Sequence, residues 1–403
     1  MSSLSTPSTP ARLSQGEFIA LIAMLFATIA LSIDAMLPAL PEIAETLTPA
    51  APNRAQLIVS TFFLGMGIGT LFVGPLSDAF GRKRVIIAGG VIYTLSALVC
   101  YVAQSFEVLL IARVIQGIGA AGPRAVSLAM VRDQYKGREM ARIMSFAMMI
   151  FMLVPAVAPL MGQGIIAVAG WHAIFLVYIV FSLITVAWLG LRQPETLAPE
   201  ARVPLSLTTL AASARDLFSR RPVLVAIVIQ GLTMAVMVAT ISSIQPIFEL
   251  HFARGETFPL WFAFMAGMAC FGSFLNSRIV MRLGMRKVIT RAFAVVLVLT
   301  LAHLALRATV ALPEPWTFYI FLAWAVSLFG MMTLTMGNLN ALAMEPVGHI
   351  AGFAASMIAA AATVLAVLVS APIGQAFDGT PMPLIIGAAA LIAASLGLMR
   401  LLK

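Results

Sequence analysis

Twelve runs of about twenty apolar residues, separated by short polar breaks, constrain this chain more than any other feature. They are read at 17–38, 54–76, 84–104, 108–131, 139–165, 169–191, 222–248, 259–282, 288–308, 314–338, 350–376 and 380–401. In hydrocarbon every backbone amide must be paired internally, so a spanning segment is a helix or part of a closed barrel. Barrel strands alternate apolar and polar positions over about ten residues, whereas these runs are apolar all round. The expectation is an all-α membrane protein with twelve transmembrane helices. Only 10% of the 403 residues are charged and 61% are hydrophobic, against about 25% charged in soluble domains. A water-soluble fold is excluded.

The net charge of +9 would suit nucleic acid if the basic residues formed one patch, but they follow the spans instead. With the first residue inside, the inner breaks hold Arg12, then Arg82, Lys83 and Arg84, then Arg132, Lys136, Arg138 and Arg142, with similar clusters around 192–221 and 278–291 and at Arg400 and Lys403. Only Arg54, Arg254 and Arg307 fall outside. This is the positive-inside bias; both termini are expected in the cytoplasm and no nucleic-acid partner is expected. Residues 1–16 are polar and the first run lacks a small-residue cleavage pattern, so a retained first helix is expected rather than a removable leader. Cys100 and Cys270 lie within runs and read as packing residues.

The longest inner break, 192–221, carries Pro194, Pro199 and Pro204 and divides the runs six and six. Two bundles, 1–191 and 222–403, joined by a cytoplasmic linker at 192–221, are expected. Internal echoes support a pseudo-symmetric pair. Ala158-Pro159-Leu160-Met161-Gly162-Gln163 in the fifth run returns as Ala371-Pro372-Ile373-Gly374-Gln375 in the eleventh, and Phe80-Gly81-Arg82-Lys83 returns as Leu283-Gly284-Met285-Arg286-Lys287 after the eighth. Over essentially its whole length the chain resembles the major facilitator superfamily, whose halves rock about a site near the bilayer midplane. Within that family it is similar to the twelve-span drug:proton antiporters, closest to the bicyclomycin-resistance and phenicol-efflux type.

Four motifs carry the resemblance. The turn after the second run holds Gly74, Asp78, Gly81, Arg82, Lys83 and Arg84; its glycines permit a tight reversal, and Asp78 can meet a helix N-terminus or an arginine. The resemblance implies a gating latch, while the plainer reading is a topological anchor. The family's basic residue after the aspartate is Ala79 here, so one strand of the charge relay is either missing or supplied elsewhere, with Arg132 and Arg138 as candidates. In the fourth run Arg113, Gln116, Gly117 and Ala120 share one helix face. An arginine in a span marks a functional site by default, with a structural buried pair as the alternative. Arg124 lies eleven residues on, about 16 Å deeper; contact with an anionic substrate and a cytoplasmic-side gate pair both remain open for it.

The first run ends with Asp34 in Asp34-Ala35-Met36-Leu37-Pro38-Ala39-Leu40-Pro41, resembling the antiporters' first-helix motif. Asp34 and Arg113 fall at similar depth. Burial and a nearby guanidinium pull a carboxylate's proton affinity in opposite directions, which suits proton exchange; the alternative is a helix-end aspartate in external water. In the fifth run Pro155, Pro159 and Gly162 resemble the antiporters' Gly/Pro motif and are expected to bend or gate that helix, though a proline in a spanning helix is also simply common.

Twenty-four methionines, Met149 among them, suit adaptable walls. The amides Gln230, Gln245, Asn276, Asn338 and Asn340 are candidates for substrate contact or for hydrogen bonds between helices. No phosphate-binding, zinc-protease or serine-hydrolase motif is present, and His172, His251, His303 and His349 lack metal-ligand spacing. No cofactor, metal or enzymatic activity is expected. The expected function is proton-coupled efflux of a small drug or metabolite by a monomer in a bacterial inner membrane, with Asp34 and Arg113 coupling the proton; a proton-linked importer on the same fold is the alternative.

Overall fold

A computed structural model describes residues 13–402, and among them there are helices and short connections but no strand. Arg12 and Lys403, counted above with the inner charges, lie outside the described residues, as does most of the polar segment 1–16. In chain order the helices are α1 (Gln15–Asp34), α2 (Leu40–Leu47), α3 (Leu57–Phe80), α4 (Arg82–Val102), α5 (Phe106–Gln134), α6 (Gly137–Ala169), α7 (Ala173–Arg192), α8 (Leu207–Ser219), α9 (Arg221–Pro246), α10 (Phe258–Leu283), α11 (Met285–Thr309), α12 (Glu314–Met344), α13 (Ala351–Gln375) and α14 (Met382–Leu398). Twelve segments are long and apolar enough to cross a membrane, with α1 and α2 forming one span and α8 none. Val168, Leu191 and Met281 stand almost fully exposed, as side chains facing lipid do.

Several helices outrun their apolar runs. The 33 residues of α6 make about 50 Å of helix, well beyond a hydrocarbon layer of about 30 Å. Hydropathy marks only the part in lipid, and polar residues continue the helix past it. The first span shows the same effect at its other end. It was read to 38, yet a 3-10 turn at Leu37–Ala39 carries it on into α2. Ser14 starts it, its hydroxyl accepting from the Glu17 N–H at 3.3 Å, a capping arrangement written in the sequence as Ser-x-x-Glu.

The packing repeats. In the first set α3 and α4 pack on α5, α4 on α7, and α1 on α5, α6 and α7; in the second α10 and α11 pack on α12, α11 on α14, and α9 on α12, α13 and α14. Laying α1, α3, α4, α5, α6 and α7 on α9 through α14 in order maps each of these contacts onto one in the other set. The sets meet through α3 against α13 and α6 against α10, which are also counterparts. This is a twelve-helix fold of two pseudo-symmetric six-helix bundles. The turns between α3 and α4 and between α10 and α11 are single glycines, Gly81 and Gly284, with φ of +101° and +79°. L side chains rarely adopt that backbone, so the echo seen in the sequence is a conformational requirement.

The segment 192–221 is more ordered than its prolines suggest. The Val203 N–H donates to the Asp78 carbonyl at 3.1 Å, α8 follows, and Arg220 donates to the Pro346 carbonyl at 2.9 Å. Its beginning is pinned to the first bundle and its end to the second.

Candidate functional site

Both bundles line one cavity of about 430 Å³. From the first come Ile29, Met66, Thr70, Arg124 and Arg132; from the second, Gln230, Met234, Met336, Asn340 and Thr363. It runs from the middle of the spans, at Met66 and Gln230, toward the end of the molecule that carries the arginine-rich loops, at Arg132 and Gly352. Among the described residues no Asp, Glu or His lines it.

The opposite end is closed by hydrogen bonds between the bundles. Asn53 donates to the carbonyls of Gln375 at 3.1 Å and Phe377 at 2.6 Å, and Gln375 donates back to the Asn53 carbonyl at 2.9 Å. Ser243 donates to Gln56 at 3.1 Å. Gln163 of α6 donates to the Glu256 carbonyl, just before α10, at 3.0 Å. Gln163 and Gln375 close the two echoed Ala-Pro…Gly-Gln motifs, and each reaches the start of a helix in the other bundle. The preceding glycines have matching roles. A Cβ on Gly162 would strike the Ala35 carbonyl, and one on Gly374 would lie 2.5 Å from the Gln56 side-chain oxygen. Both prolines of α6, Pro155 and Pro159, lie inside one continuous helix.

Asp34 ends α1 and is 5% exposed, so it is not a helix-end aspartate in open water. Among the described residues no hydrogen bond or salt bridge reaches its carboxylate. The expected meeting with Arg113 takes another form. Arg113, fully buried, donates to the Ser32 carbonyl at 3.0 Å, the Ile58 carbonyl at 3.3 Å and the Gln116 side-chain oxygen at 2.7 Å, and its guanidinium lies 4.4 Å from the centre of the Phe62 ring. Tyr178 also donates to the Ser32 carbonyl, at 3.3 Å, and Ser32 and Tyr93 share a 2.5 Å hydrogen bond. Arg113 thus grips the backbone two residues before Asp34 rather than the carboxylate. The reason lies in the last turn of α1: the Leu31 and Ile33 carbonyls keep backbone donors, while the Ser32 carbonyl, at a helix end where carbonyls lose their helical partners, takes side-chain donors from Arg113 and Tyr178.

The turn after α3 is tied down by a network of ion pairs and hydrogen bonds. Asp78 pairs with Arg82, and Arg82 also donates to Ser77 at 2.7 Å and to Asp133 at 3.2 Å. Glu195 accepts from the backbone N–H groups of Arg82 at 2.9 Å and Lys83 at 3.2 Å, capping α4 with negative charge where the helix dipole favours it. Lys83 donates to the Gly190 carbonyl at 2.7 Å. Among the described residues neither Arg132 nor Arg138 supplies the basic group missing at Ala79: Asp78 shares Arg82 with a second carboxylate, Asp133, a third, Glu195, joins through the backbone, and Arg132 turns into the cavity. Arg84 is exposed. Asp133 and Glu195 carry no local sequence signal, because they reach the turn only when α5 and the chain after α7 pack beside it. Gly74 lies in α3 against Ser356 of α13, whose hydroxyl would be 2.9 Å from a Cβ there.

Of the residues expected to meet substrate, the cavity gathers Arg124, Gln230 and Asn340. Gln116 is committed to Arg113. Gln245 is buried outside the cavity lining, and Asn338 donates to Asn276 at 2.9 Å, a bond between α12 and α10. Met149 is 55% exposed and is not part of the cavity wall. The methionines that do line it, Met66, Met234, Met332 and Met336, are indistinguishable in sequence from the others, since which face of an all-apolar helix turns inward is decided by packing.

Residues 20–371 match the profile of the Major Facilitator Superfamily. An uncharacterized MFS-type transporter of Bacillus subtilis is 30% identical over 384 residues, 92% of this chain and 91% of its own length. A bicyclomycin resistance protein homolog of Haemophilus influenzae is 31% identical over 81% of each chain. A chloramphenicol resistance protein of Pseudomonas aeruginosa is 36% identical over 36% of this chain and 35% of its own. The crystal structure of a D-xylose-proton symporter superposes with a TM-score of 0.75 at 15% identity, covering 96% of this chain and 97% of that one. The repeated packing, the shared cavity and the matched profile agree: the chain is a multi-pass membrane transporter of the major facilitator superfamily, similar to that family's drug-resistance members.

Proposed function

We propose that this transporter exports small, largely apolar drugs or metabolites from a bacterial cytoplasm in exchange for protons. The observation that carries the reading is the cavity shared by both bundles, which runs to the arginine-rich end while the other end is closed. By the positive-inside bias the arginine-rich end is cytoplasmic, which puts both termini inside and makes this the inward-facing, loading state. Bodies 1–191 and 222–403 rock about their shared interfaces, and 192–221, pinned at both ends, limits the swing. Rocking breaks the Asn53, Gln56, Gln163 and Gln375 bonds, opens the far end and closes the cytoplasmic one.

Asp34 is the proton carrier. Its carboxylate lies buried at the end of α1 with no hydrogen-bond donor among the described residues, on the side that the far end opens to water. Arg113 sets the position of the α1 backbone beside it, and Asp34 lies between that anchor and the Gly162 contact with Ala35. Changes in how α1 and α6 pack therefore reach Asp34 directly. Coupling requires proton and substrate to favour opposite states. The resemblance to bicyclomycin- and chloramphenicol-resistance proteins supports drug-like cargo.

The experiment is proton release from purified protein on adding such compounds, wild type against Asp34→Asn across a range of pH. Release in the wild type that disappears in the variant is expected. Binding without release in the wild type, or release undiminished in Asp34→Asn, overturns the coupling. Uptake of the compound down an imposed proton gradient would reverse the direction assigned here.

A further inference from the structure

We infer that the preferred cargo is an amphiphilic anion, a small and mostly apolar molecule carrying one oxyanion group such as a carboxylate, held by Arg124. The inference rests on the reading of the shared cavity as the substrate site. It starts from a contrast between two arginines of α5. Arg113 is buried and finished: three protein acceptors and an aromatic face surround its guanidinium. Arg124 is exposed to the cavity, and among the described residues no hydrogen bond or salt bridge reaches it.

A second guanidinium, Arg132, lines the same cavity nearer the arginine-rich end and is bonded to the Leu128 carbonyl of its own helix, at 3.4 Å. With no Asp, Glu or His in the lining among the described residues, both charges act on whatever enters. Placing an unpaired cation in a span is costly, and a cation that the protein leaves without a partner is most simply completed by its ligand. A planar guanidinium binds an oxyanion through two parallel N–H donors. A cationic drug meets repulsion in the same place.

The rest of the wall fits the rest of such a molecule. Met66, Met234, Met332 and Met336 offer apolar surface that repacks around different shapes. Gln230, 5% exposed, lines the cavity and keeps a buried side-chain oxygen without a protein donor, an acceptor that a turn of the side chain would offer to a cargo O–H or N–H. Arg124 belongs to the first bundle and Gln230 to the second, so a molecule held by both ties the bundles together across the cavity. Export of an anion against entry of a proton also moves charge inward on both legs, so an inside-negative membrane potential drives the cycle.

The test is calorimetric binding of chloramphenicol and of its succinate hemiester, a neutral compound and its anionic counterpart, to the full chain in lipid nanodiscs at neutral pH. A charge-assisted hydrogen bond of the usual strength predicts that the wild type prefers the hemiester by at least about tenfold. Arg124→Gln brings the two affinities together, and Arg124→Lys, which keeps the charge, retains most of the preference and shows that the site has folded. A wild-type ratio near one, a ratio that survives Arg124→Gln, or binding of neither compound overturns the inference. Proton release is read in the same samples. Preferential hemiester binding without release sinks the antiport reading alone, whereas release evoked only by the neutral compound sinks the anion inference alone.

Discussion

Replacing Asn53 with alanine tests whether the far-end seam holds the transporter in the state described. Its side-chain amide makes two hydrogen bonds across the bundles, to the Gln375 and Phe377 carbonyls. A net hydrogen bond is worth about 0.5–1.5 kcal/mol, so the pair contributes about 1–3 kcal/mol to this state and nothing to one in which the far end has parted. Asn53 is half-buried, and water can take over part of its bonding, which favours the lower end of that range. About 1 kcal/mol shifts the ratio of far-end-open to far-end-closed molecules roughly fivefold. The readout is the distance distribution between spin labels on exposed residues of the two bundles, Ala50 and Thr257, on a Cys270→Ser background; Cys100 is buried. Asn53→Ala is expected to enlarge the long-distance population, and adding Gln163→Ala, which removes the bond to Glu256 on the other seam, to enlarge it further. An unchanged distribution in the double variant would show that apolar packing of α3 on α13 and α6 on α10 sets the balance and that the seam is incidental.

Arg113→Ala empties a buried site and takes a donor from the Ser32 and Ile58 carbonyls and from Gln116, with Tyr178 still bonded to Ser32, and a thermal-shift assay should show a large drop in stability or loss of the folded protein; a Tm within a degree or two of wild type contradicts the anchoring role. Glu195→Ala removes the α4 cap and should cost about 1 kcal/mol, as lost N-caps do, while Glu195→Gln, which keeps an acceptor, costs less; equal effects would mean the carboxylate is not capping. Gly117→Val drives a side chain into the Phe62 carbonyl and the Met66 backbone, where overpacking usually costs about 1–3 kcal/mol, and should lower stability more than Gly267→Val, whose Cβ meets nothing within 4 Å. In transport assays Gly162→Ala should slow turnover more than Gly164→Ala, because only the former's Cβ meets the backbone beside Asp34; equal rates would detach α6 from the proton site.

Much was decided by the sequence alone. Lipid forbids unpaired backbone, so twelve apolar runs are twelve spanning helices whatever else the chain does, and the glycines at 81 and 284, with the echoed Ala-Pro…Gly-Gln motifs, disclose the two-fold repeat because each marks a backbone position or close approach that recurs in both bundles. Asp34, Arg113 and Arg124 stood out for the same reason: a charge within a span is too costly to be incidental. What the sequence left open was partnership. Nothing local in it says that Arg113 would hold the Ser32 carbonyl instead of Asp34, that Asp133 and Glu195 would join Asp78 and Arg82 at the turn after α3, or that the echoed glutamines would exchange bonds across the bundles. Those pairings join residues from 51 to 322 positions apart. An all-apolar helix carries no amphipathic stripe to say which face turns inward; only the packing of the two bundles chose Met66 and Met234 over Met149, and left Arg124 in the cavity without a partner among the described residues.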